Sequence, residues 1–369
     1  MTLVDEHARE QADRADLQAR LWRALELCWH PVCSLAELAA ADGRPIPVRL
    51  LGRDLAVADL GGGRLTAVRD RCPHRSTRLS VGWVDGGAIR CAYHGWRFGS
   101  DGACVEIPAM PDGPIPSRAC VDAFDVEERY GLVWVRLDPA VGTTIPACPA
   151  FDDPTMKHVM GAPYTWPTGA PRRVENFVDL AHFAWVHDGS LGRRDEPVPP
   201  QPELERADGE LRFHFDPPEM ETDATALFGY SRYRMPIPLT VDIEFDLDTG
   251  ARRHLWMTAS PVDPGSCRTF WFVSRDDDHD GDDAPHLEFQ ALVLAEDEPV
   301  VCNQDPPEMV LDPGFELSVR SDKVSIEYRR WLRELADAVD DPARFAAVLG
   351  PARPAAGAPA AAVPQGARA

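Results

Sequence analysis

"RDRCPHRSTRLSVGWVDGGAIRCAYHGWRF", residues 69–98, places two short Cys/His pairs in a glycine-bearing stretch: Cys72 with His74, then Cys91 with His94. Sixteen residues separate the pairs. The tight spacing inside each pair lets one loop deliver two ligands, and the intervening chain is long enough to form a hairpin that brings the loops together. Zinc, an iron–sulfur cluster and ordinary core packing are the three readings of such a set.

The second pair is followed by "GWRFGSDGACV", a strand and a tight turn, and so lacks the helix that a zinc finger requires. Two imidazoles on one iron and two thiolates on the other describe a Rieske [2Fe-2S] centre, whose potential is raised relative to an all-cysteine cluster. A zinc-binding scaffold remains the alternative at this point, and colour separates the two, since zinc is spectroscopically silent.

The whole chain is compatible with a soluble metalloprotein. Its 369 residues suggest about two domains. Hydrophobic residues at 44% and charged residues at 27% are ordinary globular values. The formal net charge of -22 argues against a nucleic-acid partner, because phosphate contacts need concentrated lysine and arginine. The N-terminus is charged from residue 5 and has no apolar signal region, and no run of 18 apolar residues occurs. A cytoplasmic location without a membrane span is therefore expected. Nine cysteines, an odd number, fit thiolate ligation in a reducing compartment better than a disulfide scaffold.

Periodicity predicts an amphipathic helix over 6–27 and short glycine-punctuated strands from Val48 to about Val135. "DLGGGRL" and "SDGACV" read as tight turns, and the Pro-rich 138–154 as a linker. A helix is predicted over 174–187, antiparallel strands over 210–274, and further helices over 286–306 and in "SIEYRRWLRELADAVDDPARFAAVL". The acidic segment 276–285 reads as an exposed loop, and the last 20 residues as a disordered tail.

A second constellation lies in "RRVENFVDLAHFAWVHDGSLG", with Asn176, Asp179, His182 and His187 at intervals of three, three and five. On a helix Asp179 and His182 share a face. His187 falls about 140° away from His182 on an ideal helix, so the helix must loosen or end before it if both rings are to converge. Two neutral histidines and one carboxylate, with open positions left over, form the facial triad of non-haem Fe(II) oxygenases. Glu288, Glu296, Asp297, Glu298 and Asp305 are the candidate carboxylates.

The motif "CPHR…CAYHGWRF", followed by this histidine segment, resembles the oxygenase component of the Rieske non-haem iron oxygenases, from Trp29 to about Trp331. The resemblance implies an α+β fold: an N-terminal all-β Rieske domain and a C-terminal catalytic domain of helices and antiparallel sheet. The limits are a helical extension over 1–26, the Rieske domain over 27–145, the catalytic domain over 146–349 and the tail over 350–369. It further implies that Cys72, His74, Cys91 and His94 hold the cluster and that His182 and His187 hold a mononuclear Fe(II). "LAEDEPVVCNQDPPE" matches the family's Glu-Asp stretch and selects Asp297 as third ligand, with Gln304 as the later glutamine. Asp179 is the implied bridge from a Rieske histidine, His94, to His182 across the interface of a homotrimer. Asn176 joins Asp179 as a catalytic candidate, either a nearby hydrogen-bonding residue or a distant, lower-affinity contact.

O2 is then the cosubstrate. No dinucleotide-binding GxGxxG follows a strand, so NAD(P)H electrons must arrive through a separate reductase, with or without a ferredoxin. Chain length and the compact histidine segment resemble the branch of O- and N-demethylases and steroid hydroxylases. Hydroxylation or oxidative dealkylation of a small cyclic or aromatic molecule by a monooxygenase is the leading function. Ring dihydroxylation, desaturation and oxidative cyclisation share the same iron sites, and a Rieske electron carrier without catalytic iron is the reading from another class.

Overall fold

The computed structural model describes residues 3–215, 230–247 and 249–350. Past Gly350, the expected tail lies outside the described residues.

The N-terminal half is built on an antiparallel six-stranded sheet. Its order is His30–Ser34, Leu132–Arg136, Ala123–Arg129, Leu65–Arg69, Arg53–Asp59, Ile46–Leu50. A separate four-stranded sheet runs Trp83–Asp85, Ala88–Arg90, Arg97–Phe98, Cys104–Glu106. The hairpin expected at "DLGGGRL" is present. Gly61, Gly62 and Gly63 all have positive φ, a conformation open to glycine, and Asp59 Oδ1 accepts from the Gly61 N–H at 2.8 Å.

The C-terminal half is an eight-stranded antiparallel sheet. Its strands run in the order Lys157–Met160, Ser266–Arg275, Arg252–Asp263, Thr240–Asp246, Tyr230–Pro236, Glu210–Phe215, Glu203–Ala207, and Tyr164–Trp166 also pairs with Ser266–Arg275. The helix Ala170–Val178 lies on this sheet and packs against the helices Ala284–Val301 and Lys323–Asp337. Mixed helix and antiparallel sheet in two halves is the fold class expected from the sequence.

The N-terminal helix, Leu3–Glu26, is docked rather than free. It packs against Lys323–Asp337, and Arg20 and Arg23 pair with Asp337 and Asp340 at 2.7 and 2.8 Å. One hydrophobic core runs from this helix through Leu55, Val57, Val133 and Val135 of the first sheet to Val241, Met257 and Trp271 of the second. A smaller core joins Cys72, Leu79, Ile89, Cys91 and Phe98 to Ala56, Ala58 and Val68 of the first sheet.

Four sequence expectations change. The helix over 174–187 is two helices, Ala170–Val178 and the single turn Phe183–Val186. Asp179 breaks it: its backbone is extended (φ -80°, ψ 114°), and its Oδ1 accepts from the Ala181 N–H at 2.8 Å, a local bond that competes with the helix. The last predicted helix also divides, into Lys323–Asp337 and Pro342–Leu349. Pro342 cannot continue the first helix, and Asp341 caps the second through the Ala343 and Arg344 N–H groups. The linker is packed, with Ile145, Cys148 and Ala150 buried beside Trp134 and Trp256. The acidic segment is a loop, but it is latched by buried or half-buried cations: Asp283 pairs with Lys157 and Arg275, both at 2.7 Å, and Asp276 with Arg252 at 2.9 Å.

Candidate metal centres and substrate pocket

The two loops of the first constellation have the same backbone design. The Cys72 N–H donates to Thr77 O, five residues on, and the Ser76 N–H returns to Cys72 O; the Cys91 N–H donates to Trp96 O and the Gly95 N–H returns to Cys91 O. Ser76 (φ 60°) and Gly95 (φ 72°) occupy the same left-handed position in the two loops. Such a loop holds its first cysteine inward and swings the following histidine outward. Accordingly Cys72 and Cys91 are each 2% exposed, whereas His74 is half-buried and His94 exposed, with their ring centres 4.4 Å apart.

This donor set fits a Rieske cluster, with thiols inside and imidazoles at the surface. Burial pushes the Cys72 thiol up to about 11, opposed by the His74 N–H and reinforced by the neighbouring Cys91, so iron bound there would displace the Cys72 proton. Trp96 stacks on His74 with ring centres 4.7 Å apart. Tyr93 lies against His94 at 3.8 Å but is 62% exposed, so it sits at the surface beside the cluster and not in the core.

The second constellation converges completely. His182 Nε2 and His187 Nε2 are 3.2 Å apart, and Asp297 Oδ1 lies 3.5 and 3.3 Å from them. Three ligand atoms bonded at about 2.1 Å on one face of an octahedral ion would be about 3.0 Å apart, so the set fits a divalent metal. Among the described residues these three form the group of His, Cys, Asp or Glu side chains that meets in this way. Burial would hold the His182 ring neutral, but the Asp179 and Asp297 carboxylates overcome it and push the ring up to about 9. Burial would raise Asp297; hydrogen bonds from His182 and His187 and the charge of Arg173 reverse that and hold it far below the usual carboxylate range.

Local folding explains the convergence. The break at Asp179 turns the chain, and the single turn that follows places His182 and His187 at its two ends. The His187 carbonyl then accepts from the Ser190, Leu191 and Gly192 N–H groups, which pins its backbone. Gly192 presses so close to the Phe183 carbonyl that a Cβ would sit 2.3 Å from that oxygen. Asp297 comes from the face Gln290, Val293, Asp297, Val301 of the long helix, which continues to Val301 although Pro299 cannot bond to Ala295 O.

Of the other candidate carboxylates, Glu288, Glu298 and Asp305 are exposed and outside this group, while Gln304, also exposed, lines a cleft together with Asp179, His182 and Asp297. Glu296 has a different place. Its Oε2 accepts from His187 Nδ1 and from Ser190 Oγ, both at 2.7 Å, which fixes the tautomer that leaves His187 Nε2 free to ligate. Asp179 Oδ2 faces His182 Nδ1 at 3.5 Å, too long for a good hydrogen bond, and its side chain is 36% exposed. Asn176 donates from Nδ2 to Asp297 Oδ1 at 3.2 Å, and Arg173 donates to Asp297 Oδ2 at 3.3 Å. Sequence reasoning missed Arg173 and Ser190. The three-residue step from Arg173 to Asn176 marks a shared helix face, but what that face meets is 121 residues away.

A cavity of about 190 Å³ opens on the His/His/Asp set. Its walls are mostly apolar, with Phe177, Leu180, Phe245, Leu255, Met257 and Val293 among them. Phe245 therefore lines the cavity, whereas Trp256, Phe270 and Phe272 belong to a separate aromatic core. Gln290, buried two turns before Asp297, brings an amide to the same cavity. On the other side of the set, Asp179 and His182 line a second cleft with Arg172, Glu175, Glu316 and Arg329. Among the described residues no helix is long and apolar enough to cross a membrane.

Comparison with known proteins agrees with this division. Residues 28–124 match the Rieske [2Fe-2S] domain family, and residues 166–338 the vanillate O-demethylase oxygenase C-terminal domain family. The chain is 42% identical over 316 residues to methylxanthine N1-demethylase NdmA of Pseudomonas putida, covering 84% of this chain and 89% of that one. It is 43% identical over 319 residues to methylxanthine N3-demethylase NdmB of the same organism, covering 84% and 88%. A structure of NdmA with caffeine superposes with a TM-score of 0.85 at 40% identity, over 89% of this chain and 96% of that one. Dicamba monooxygenase shares the fold at 24% identity, with a TM-score of 0.75 over 85% and 98% of the two chains. The chain belongs to the Rieske non-haem iron oxygenases, enzymes with a Rieske [2Fe-2S] cluster and a mononuclear iron that oxidise small organic molecules.

Proposed function

We propose that this chain is the terminal oxygenase of an N-demethylase acting on a planar, N-methylated heterocycle of the methylxanthine class. The observation that carries the reading is the largely apolar cavity that ends on His182, His187 and Asp297 and has the buried amide of Gln290 in its lining. Apolar walls suit a flat ring system, and an amide can both donate to and accept from ring carbonyl and nitrogen groups, so it orients one methyl toward the metal. The similarity to NdmA and NdmB over most of both chains supports the same substrate class.

His182, His187 and Asp297 would hold a mononuclear iron, which would supply the activation of O2. Glu296 and Ser190 keep His187 in its ligating tautomer, and the apolar walls exclude water from the methyl group. One oxygen atom enters a methyl C–H bond, and the resulting N-hydroxymethyl group breaks to formaldehyde and N–H. The other oxygen atom leaves as water, with two electrons and two protons consumed.

Cys72, His74, Cys91 and His94 would hold the cluster, which would supply those electrons one at a time from a reductase with or without a ferredoxin. They pass from His94 of one subunit through Asp179 to His182 of the next in a homotrimer. Two features support this route. Asp179 is open to the second cleft, and exposed apolar side chains flank both ends: Tyr93 beside His94, and Leu317, 92% exposed, at the cleft. The domain limits of 27–145 and 146–349 and a cytoplasmic location complete the proposal.

The test is turnover of caffeine and dimethylxanthines with a Rieske reductase, NAD(P)H and O2, reading formaldehyde and demethylated purine together. Equal amounts of both are expected, and Gln290→Ala should raise KM at least about tenfold, as loss of an orienting hydrogen bond would. Uncoupled O2 consumption with every N-methylpurine, alongside productive oxidation of a carbocyclic substrate, would overturn the substrate class.

A further inference from the structure

Arg173 is a buried cation behind the metal set. It is 1% exposed, and its guanidinium carbon lies 3.9 Å from the ring centre of Phe177, 4.4 Å from that of Trp166 and 5.6 Å from that of Tyr164. Its Nε donates to the Tyr164 hydroxyl at 2.9 Å. An arginine stripped of water is costly unless its charge is matched, and aromatic faces match it only in part. The matching carboxylate is Asp297. Nη1 donates to Asp297 Oδ2 at 3.3 Å and also to Asn176 Oδ1, while Asn176 Nδ2 donates to Asp297 Oδ1 at 3.2 Å.

The two oxygens of Asp297 are therefore unlike. Oδ1 faces both histidine nitrogens, at 3.3 and 3.5 Å, and Oδ2 faces the guanidinium. We propose that Arg173 is a positioning residue: by holding Oδ2 it confines Asp297 to one-oxygen ligation of the iron, which keeps an extra coordination position free for O2. A carboxylate without such a partner is free to chelate through both oxygens and occupy that position.

The geometry suits a clamp. The aromatic cage fixes the guanidinium plane, and Arg173 and Asn176 stand three residues apart on one helix, so both donors move together. The inference rests on the ligand set proposed above but is independent of the substrate.

The experiment uses iron-loaded holoenzyme with its Rieske cluster oxidised, so that paramagnetic resonance of the nitric oxide adduct reads the mononuclear iron alone. Arg173→Met fills the aromatic cage with an apolar chain of similar reach. It is expected to keep its mononuclear iron, to give a nitric oxide signal of altered rhombicity, and to bind nitric oxide at least about tenfold more weakly, as loss of an outer-shell partner commonly does. Arg173→Lys returns a charge to the cage and is expected to move the signal back toward wild type. A Met variant whose signal superimposes on wild type reduces Arg173 to a structural ion pair and overturns the proposal.

Should Arg173→Met lose its iron or its fold, the crystal structure of the iron-loaded wild-type enzyme decides. Asp297 Oδ2 on Arg173 and off the iron supports the clamp, whereas both oxygens within about 2.2 Å of iron refute it. Iron found away from His182 and His187 in the same crystal would overturn the ligand set as well, which separates the two failures.

Discussion

Replacing Glu296 with glutamine should weaken iron binding while leaving all three ligands in place. Glu296 Oε2 accepts from His187 Nδ1 at 2.7 Å, a short bond to a charged acceptor. Such bonds contribute about 1.5–3 kcal/mol, and loss of a partner behind a ligating histidine commonly costs about 10–100-fold in metal affinity, or about 1.4–2.8 kcal/mol. The two ranges agree, so about 30-fold weaker Fe(II) binding is the expected value. Ser190→Ala removes a donor to the same oxygen, also at 2.7 Å, and should cost only about threefold, as a neutral hydroxyl donor does. Because Ser190 acts on the ligand through Glu296, the double variant should be little worse than Glu296→Gln alone, a non-additivity that independent sites do not show. Competition with a coloured Fe(II) chelator reads the affinity, and the Rieske absorption serves as internal control. Affinity within twofold of wild type in Glu296→Gln would refute the reasoning, and full additivity would detach Ser190 from it.

Other outcomes follow from the same structure. Gly95→Ala should cost the cluster, since Gly95 has φ 72° and a Cβ there would lie 3.1 Å from Pro108 Cγ; Ser76→Gly, at the matching position of the other loop, should keep it, and equal cluster content in both variants would refute the shared loop design. His30, buried with Nε2 donating to Leu25 O at 2.8 Å, has its pKa lowered to about 4 by burial, only partly opposed by that bond. The unfolded chain takes up this proton near pH 6.5, so stability should be full above about pH 7 and fall by up to about 3 kcal/mol as pH drops to 4. Urea unfolding at pH 7 and 5 checks this, and His30→Asn should flatten the difference. Asp179→Asn should keep both metal sites but slow reoxidation of the Rieske cluster in a single turnover. Mixed oligomers of Asp179→Asn with Cys72→Ser chains should recover activity, and no recovery in verified mixed oligomers would count against transfer between subunits. His182→Ala should abolish turnover and leave the Rieske spectrum intact; loss of that spectrum without unfolding would show the two ligand sets to be misdivided.

What the sequence revealed depended on distance along the chain. Cys72, His74, Cys91 and His94 were legible because each loop carries its own spacing rule. His182 and His187 were legible because their interval of five already demanded a broken helix, and the break at Asp179 is present. Asp297 needed the family resemblance: four neighbouring carboxylates offer the same chemistry, and only the packing of Ala284–Val301 against Ala170–Val178 turns one of them inward. Glu296, one residue before it, was weighed as a ligand and instead serves the far nitrogen of His187. Arg173 was invisible for a related reason. Charged residues on a helix are usually solvated, and the aromatic cage that removes this one from water comes in part from Tyr164 and Trp166, in a strand before the helix. The acidic loop misled in the opposite sense, since composition reports its carboxylates but not the lysine and arginines on the strands beneath.

The division of the hydrophobic interior bears on how such an enzyme is assembled. The larger core ties the N-terminal helix and first sheet to the oxygenase half, so these parts stand or fall together. Cys72 and Cys91 belong to the smaller core, which rests on Ala56, Ala58 and Val68 of the first sheet. Local opening of the two loops would expose the two thiols, and its cost would be set chiefly by the smaller core where it rests on the first sheet. Maturation can then proceed in an order: the scaffold folds first, and a carrier delivers iron and sulfide to a local opening of a finished protein. Oxidative loss of the cluster becomes damage confined to those loops, repairable in place.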